Sequence, residues 1–447
     1  MKPSGISSNN IEPRASEIIT KLNIPGFDAY LVGGCVRDLL LGKTPKDWDV
    51  ATSALPEEVV SVFSDNHIIE TGIKHGTVTI VSNGLPIEVT TFRVDGNYED
   101  GRRPANVIFV RNIREDLARR DFTINAIAYH PDKGLIDPFG GVTDLNTKTV
   151  HAVGDANTRL NEDGLRILRA LRFASTLSFE IDSSLASSIH HNKKLLQNIS
   201  VERIATEMTK LLCGDNVSKI LIEYSDIFSV FIPEISDIIG FDQRSPYHLF
   251  DAWTHTVLTV AAAPTDPILR LTMLFHDLGK PACFTQDDDE MGHFYGHEDK
   301  SAEIANRRLR ELRFDNETID AVCELVRWHD VGLTEKNLIK WLNRLGEPRL
   351  RQLFEIKLAD AKSHSAENAT EKLSELWDRE MQLNDILEKE VCFSLKDLSL
   401  NGDDLLAAGI PEGAEIGFIL QRLLDAVMDG RLPNEKQALL RAAIPAE

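Results

Sequence analysis

Cysteine is scarce in this 447-residue chain: Cys35, Cys213, Cys283, Cys323 and Cys392 are odd in number, widely spaced and without a Cys-x-x-Cys pair. That pattern excludes a disulfide framework and a thiolate zinc site, and it reads as reduced thiols, mostly inside a core. Long apolar runs are also missing, and Met1-Lys2-Pro3-Ser4-Gly5 has neither the basic region nor the apolar core of a signal peptide. The expectation is a cytoplasmic protein with no membrane partner. Basic charge is in deficit: 49 Lys+Arg against 70 Asp+Glu give a net charge of -21, which by itself speaks against nucleic acid. The deficit is uneven, however. Residues 1–212 hold 24 basic and 27 acidic side chains, whereas residues 213–447 hold 25 and 43. A local basic groove on an acidic body is compatible with that distribution, because phosphate contacts are local. The length is too great for one core and predicts about two to four domains.

What is present begins with a β-prone stretch, Ala29 to Val32, that runs into Gly33-Gly34 and then into a helix-prone segment carrying Arg37 and Asp38. Paired glycines, free to adopt φ > 0, let a backbone close on an anionic ligand, so this segment reads as a phosphate cradle. Just beyond lies Asp47-Trp48-Asp49-Val50. Extended backbone sends residues i and i+2 to one face, so Asp47 and Asp49 can share one or two hard divalent cations. Such ions bind triphosphate oxygens, activate an attacking hydroxyl and stabilise leaving pyrophosphate. The two features together point to nucleotidyl transfer.

Between about residues 28 and 150, β-prone runs (Val78 to Val81, Ile87 to Thr91, Val107 to Val110) alternate with helical patterns, which predicts an α/β domain. After Asp155 the strand signals nearly vanish, and successive amphipathic helices are separated by Gly214-Asp215, Ser245-Pro246 and Ala263-Pro264. Arginines crowd one region: Arg93, Arg102, Arg103, Arg111, Arg114, Arg119 and Arg120, followed by Arg159, Arg166, Arg169 and Arg172. Arg119-Arg120-Asp121 stands at the start of an apolar segment read as helical, where the arginines suit phosphate and Asp121 a ribose hydroxyl. In Asn161 to Phe173, helical spacing makes Asp163 and Arg166 i,i+3 neighbours, with Arg169 and Arg172 continuing the ridge. Alone, that run reads as a solvated charged face.

Taken in order, Gly33-Gly34-x-x-Arg37-Asp38, Asp47-x-Asp49, Arg119-Arg120-Asp121-Phe122-Thr123-x-Asn125-Ala126, Asp137-x-Phe139-Gly140-Gly141, Glu162-Asp163-x-x-Arg166 and Glu202-Arg203-Ile204 resemble the bacterial-type (class II) CCA-adding tRNA nucleotidyltransferases and their poly(A) polymerase relatives. The tail from Gly409 to Leu440 resembles the same family more weakly. The resemblance implies a polymerase β-like α/β head (1–150), a helical neck that reads the base and binds RNA (151–215), a helical body (216–380) and a helical tail (381–447). It makes Asp47 and Asp49 the Mg2+ ligands, places Gly33, Gly34, Arg37 and Arg120 on the nucleotide with Asp121 near the ribose, and makes Asp163 and Arg166 the base-reading pair assisted by Arg169 and Arg172. Glu88 is a candidate third carboxylate. The implied partners are the tRNA 3′ end, CTP and ATP. Enzymes adding only A, only CC, or poly(A) share the chemistry; the segment from Arg93 to Pro104 resembles the flexible loop that family members need for the final A, which counts against CC-only addition, and the acidic end Pro445-Ala446-Glu447 differs from the basic extension of the related poly(A) polymerases.

Base choice has an independent rationale. Aspartate offers only acceptors and arginine only donors. Cytosine and adenine both present an amino donor beside a ring-nitrogen acceptor, whereas guanine and uracil present the reverse. A mismatched edge leaves groups unpaired, at about 1–3 kcal/mol each.

Further on, His255, His276-Asp277 and Asp360 occur in the order H, HD, D, with His297 and His329 between and Lys280 after. These residues resemble the HD superfamily of metal-dependent phosphohydrolases, which implies a second divalent ion such as Ni2+, Co2+ or Mn2+ and a second active site. An HD phosphohydrolase with an inactive transferase head is the reading of a different class.

Overall fold

The computed structural model describes residues 6, 10–82, 84–96, 107–244, 249–364 and 366–444. Ser245-Pro246, most of the segment from Arg93 to Pro104, including Arg102 and Arg103, and both chain ends singled out above lie outside them. The chain gathers into two compact units, Met1–Ser236 and Asp237–Glu447.

The first unit opens with the helix Pro13–Asn23, which starts on proline and buries Ala15, Ile18, Ile19 and Leu22, one face of a 3.6-residue period. Nine strands follow: β1 (Ala29–Val32), β2 (Asp49–Thr52), β3 (His67–Ile69), β4 (Thr77–Ser82), β5 (Leu85–Thr91), β6 (Arg93–Asp95), β7 (Val107–Phe109), β8 (Ala128–His130) and β9 (Gly134–Ile136). Seven make one sheet in the order β3-β4-β5-β2-β1-β8-β9, while β6 and β7 form a separate ribbon. Within that sheet β2 and β5 run parallel, with Asp49 opposite Glu88. Tyr30, Val32, Ala51, Phe92, Ala126 and Ala128 form a core cluster behind it.

The apolar segment after Asp121 is not a helix. Thr123–Asn125 makes one 3-10 turn and Ala128–His130 is a sheet strand, because Leu31 and Val32 pair with Tyr129 and Ala128. A short apolar run does not distinguish strand from helix; the sheet decides. Three helices then matter for the site: Ala156–Glu162, Arg166–Leu177 and Val201–Leu212. The Asp155 side chain caps the first by accepting from the Thr158 N–H at 2.7 Å. Ser175 Oγ donates to the Leu211 carbonyl at 2.7 Å, joining the other two.

In the second unit the helices Ala252–Ala262, Pro267–Phe275, His297–Glu311, Asn316–Trp328, Leu338–Lys362 and Ala366–Glu388 succeed one another. Asp251 and Asp266 cap the first two. Gly346, at φ 71°, and Pro348 kink the long one. Three terminal helices close over Leu400, Leu405, Leu423, Leu424 and Leu439. Among the described residues, strand after Asp155 is confined to two-residue pieces: Glu180–Ile181, paired with Thr149–Val150, and Thr285–Gln286, paired with Gly292–His293.

Candidate active site

In the first unit a cleft of about 490 Å3 is lined by Gly33, Gly34, Arg37, Asp49, Arg120, Asp121, Asp163, Arg166, Arg169 and Arg172, among others. Ten of the eleven transferase-site residues named from sequence thus face one space; Asp47 is not in its lining and sits exposed in the bend before β2. Asp47 therefore does not share the strand expected for both carboxylates. Glu88, across the β2/β5 pairing, stands beside Asp49. Burial pushes the Asp49 carboxyl up to about 6 against the pull of Arg120, and the charges of Glu88 and Asp47 add to the rise. Such a concentration of oxygen donors fits a hard divalent cation, which would relieve their mutual repulsion.

Gly33 adopts φ 74° and ψ −129° ahead of the short helix Gly34–Leu40. A Cβ on it would stand 2.6 Å from Arg120 Nη1. Gly33→Ala is therefore expected to displace the Arg120 guanidinium and to cost about 1–2 kcal/mol in backbone strain. The expected readout is a lower melting temperature together with a raised KM for nucleotide; an unchanged KM would remove Gly33 from the site.

Arg37 donates to Asp38 Oδ1 through Nε at 2.9 Å and to Asn125 Oδ1 through Nη1 at 2.8 Å. Arg120 approaches buried Asp116 at 3.5 Å. Asp121 accepts from Arg169 Nε at 2.8 Å and Nη2 at 2.5 Å, from the Phe122 N–H at 2.8 Å and from Asn125 Nδ2 at 3.1 Å. Burial opposes its ionisation, but Arg169 and these hydrogen bonds outweigh it and hold the carboxyl at about 2. Its acceptor positions are filled, so a ribose hydroxyl at Asp121 requires an exchange of partners.

The expected i,i+3 pair of Asp163 and Arg166 is not formed. The charged run is not one helix: Asp163 is extended, at φ −145°, between Ala156–Glu162 and Arg166–Leu177. Gly164 beside it lies so close to Leu195 that a Cβ would meet that side chain at 2.9 Å. Asp163 Oδ2 pairs with Arg203 Nη2 at 2.8 Å, and Arg166 pairs with Glu162 while donating to the Arg159 carbonyl at 2.8 Å. Nor is the face solvated, since Arg166 is buried. Arg172 Nε meets Glu207 Oε2 at 2.6 Å. Sequence reasoning gave no role to Asn125, Phe173, Arg203 and Glu207. For the last two, the i,i+4 spacing on one helix was the available signal.

The second unit holds a separate cluster. Asp277, 1% exposed, directs Oδ2 to His276 Nε2 at 3.1 Å and His255 Nε2 at 3.5 Å, and Oδ1 to His297 Nε2 at 3.5 Å and His329 Nε2 at 3.9 Å. His255 Nε2 also meets Asp360 Oδ1 at 3.1 Å, and His364 Nε2 meets Asp360 Oδ2 at 3.1 Å. All four residues named from sequence converge, joined by His297, His329 and His364; for His364, the i,i+4 spacing from Asp360 was the signal. His276, His297 and His329 donate Nδ1–H to the carbonyls of Met273, Phe294 and Val326 at 2.7, 2.9 and 2.6 Å, which turns each Nε2 toward Asp277, with His297 Nε2 and His329 Nε2 3.3 Å apart. Burial and the neighbouring His276 push His329 down to about 3 and burial lowers His255, which keeps these two imidazoles neutral, whereas Asp277 raises His297 against the effect of burial. Imidazole nitrogens around a buried carboxylate fit a borderline divalent cation. Lys280 Nζ contacts Asp277 Oδ2 at 2.7 Å.

Comparison with known proteins agrees with the geometry. The family described as "Poly A polymerase head domain" matches residues 29–151, "Probable RNA and SrmB- binding site of polymerase A" matches 178–239, and "tRNA nucleotidyltransferase domain 2 putative" matches 296–443. A CCA-adding enzyme of Lactobacillus delbrueckii subsp. bulgaricus is 33% identical over 440 residues, covering 98% of each chain. That of Geobacillus thermodenitrificans is 48% identical over 225 residues, 50% of this chain and 55% of its own. The crystal structure of the Bacillus stearothermophilus CCA-adding enzyme in complex with CTP superposes with a TM-score of 0.74 at 30% identity, covering 97% of both chains. A nucleotidyltransferase head continued into an arginine-lined helical wall, with relatives matched nearly from end to end, places this chain in the family of CCA-adding enzymes.

Proposed function

We propose that this protein completes the 3′ end of tRNA by adding C, C and A from CTP and ATP without a nucleic-acid template, releasing pyrophosphate. The observation that carries this reading is the single cleft in which Asp49, the Gly33-Gly34 turn and the Asp163/Arg166 wall face one another. Gly33, Gly34, Arg37 and Arg120 hold the triphosphate. Asp47 and Asp49 hold Mg2+, which supplies Lewis-acid activation of the terminal hydroxyl and neutralises the leaving pyrophosphate. Asp163 and Arg166 read the base edge after leaving Arg203 and Glu162, while Asp121 and Glu207 keep Arg169 and Arg172 in place. The functional division follows the four segments 1–150, 151–215, 216–380 and 381–447, and the reaction takes place in the cytoplasm.

The test is incubation with Mg2+, CTP, ATP or both, and tRNAs ending before CCA, after C and after CC. Extension of all three to a complete CCA end supports the reading. Extension of the CC-ended tRNA alone assigns A-only addition; arrest after CC, or a long A tail, assigns the other relatives.

For base choice, Asp163→Ala and Arg166→Ala are expected to admit UTP and GTP at least about tenfold more readily, the loss of roughly 1–3 kcal/mol of mismatch penalty. Competition among the four nucleotides measures this. An unchanged preference for C and A with only a raised KM transfers the reading role elsewhere.

A second activity, metal-dependent phosphohydrolysis in the 237–447 unit, is favoured by the division of Asp277 between two pairs of imidazoles. His255, His276, Asp277 and Asp360, with His297 and His329, are suited to Ni2+, Co2+ or Mn2+, because borderline cations prefer imidazole. Lys280 holds Asp277 charged. The test is hydrolysis of 2′-phosphate or 2′,3′-cyclic phosphate substrates in each metal; no hydrolysis in any of them withdraws this activity.

A further inference from the structure

The neck side of the cleft contains one aromatic ring that no proposed chemistry uses. Phe173, 4% exposed, lies on the helix Arg166–Leu177 and lines the cleft. Three guanidinium carbons stand over it: Arg172 at 4.0 Å from the ring centroid, Arg37 at 5.0 Å and Arg169 at 5.5 Å. Phe122, fully buried, meets the ring edge-on at 5.8 Å and 81°, which fixes its plane. Arg37 comes from the helix after β1 and the other two arginines from the helical neck, so the ring joins cations from distant parts of the sequence.

Three like charges around one point repel one another. Each has an acidic partner of its own: Asp38 for Arg37, Asp121 for Arg169 and Glu207 for Arg172. The partner they share is the negative quadrupole of the phenyl ring, which attracts each cation without competing for its N–H donors. A carboxylate in that place would neutralise the arginines and repel a triphosphate. An aliphatic side chain would fill the volume and leave the repulsion opposed by the three carboxylates alone. The ring keeps three cations close together while leaving their hydrogen-bonding capacity for a ligand.

We infer that Phe173 is a positioning residue for nucleotide addition, holding Arg37, Arg169 and Arg172 as one preorganised anion-binding group through its π face. The inference rests on the reading above that these arginines meet the nucleotide.

The experiment replaces Phe173 in the full-length protein with mono-, di- and trifluorinated phenylalanine, which keep the shape of the ring and progressively remove the negative charge of its face. KM for CTP and ATP is expected to rise in step with fluorination, about three- to tenfold in total, with kcat within about twofold and the melting temperature unchanged. Phe173→Leu is expected to match the most fluorinated ring, and Phe173→Tyr to stay near wild type. A purely structural phenyl group predicts a flat KM across the fluorinated series, and that result overturns the inference whether or not Phe173→Leu folds. Arg172→Gln separates the two layers: if it raises KM while the fluorinated series is flat, the arginine stays on the nucleotide and only the role of Phe173 falls. If Arg172→Gln and the series both leave KM unchanged, both readings fall.

Discussion

Asp49→Ala is expected to lower nucleotide addition at least about a thousandfold, a loss of roughly 4 kcal/mol of transition-state stabilisation, while the protein stays folded. The asymmetry has a structural cause. Asp49 is the first residue of β2, and Val50, Ala51 and Thr52 carry the pairing with β1 and continue the pairing with β5. Truncation removes no core volume and takes away a half-buried carboxylate whose ionisation the site already resists. Circular dichroism and the melting temperature therefore stay near native while activity in Mg2+ disappears. Asp47→Ala should behave alike from its exposed position in the bend, and even more clearly without a folding cost. Near-wild-type addition by either variant would overturn the two-carboxylate assignment.

The second large effect is expected in the other unit. His276→Ala combined with Asp277→Asn should abolish any phosphohydrolase activity and lower bound Ni2+ or Co2+ at least about tenfold, leaving CCA addition within a few-fold of normal. Asparagine is the suitable replacement at Asp277, because an acceptor oxygen remains for buried Lys280 while the charge that binds the cation is removed. Alanine there would leave the buried lysine with Gln243 Oε1 as its acceptor and without the acceptor at Asp277, at a cost of about 1–3 kcal/mol. Metal content by mass spectrometry and addition to tRNA are the two measurements. Loss of CCA addition by the folded double variant would mean that the cluster takes part in tRNA positioning or catalysis, and the model of two independent sites would be abandoned.

Which features could be read without coordinates follows from how local their causes are. Gly33-Gly34 announced a backbone at positive φ next to an anion site, and Gly33 has that conformation with Arg120 packed where a Cβ would stand. The order of His255, His276-Asp277 and Asp360 announced convergence through its resemblance to the HD superfamily, and in the structure the four side chains meet. The partners were a different matter. Asp163 and Arg166 are three residues apart, yet each side chain chose a more distant or differently placed partner, Arg203 and Glu162. The apolar segment after Asp121 reads as helix, and Ala128–His130 becomes strand only with β1 beside it.

The sequence by itself carried the candidate groups: the carboxylates Asp47 and Asp49, the Gly33-Gly34 turn, Asp163 with Arg166, and the set His255, His276, Asp277 and Asp360, the first two by residue type and short spacing and the others by their resemblance to known families. Tertiary structure decided how those groups are held. The close approach of Gly164 to Leu195 accompanies a break in what reads as one charged helix; Phe173 stands beneath arginines drawn from head and neck; and Asp277 divides its oxygens between imidazoles from four helices and their ends. The reason is physical. Propensity and periodicity act over a few residues, whereas the pairing of buried charges depends on which side chains are brought within about 3–4 Å once the helices have packed.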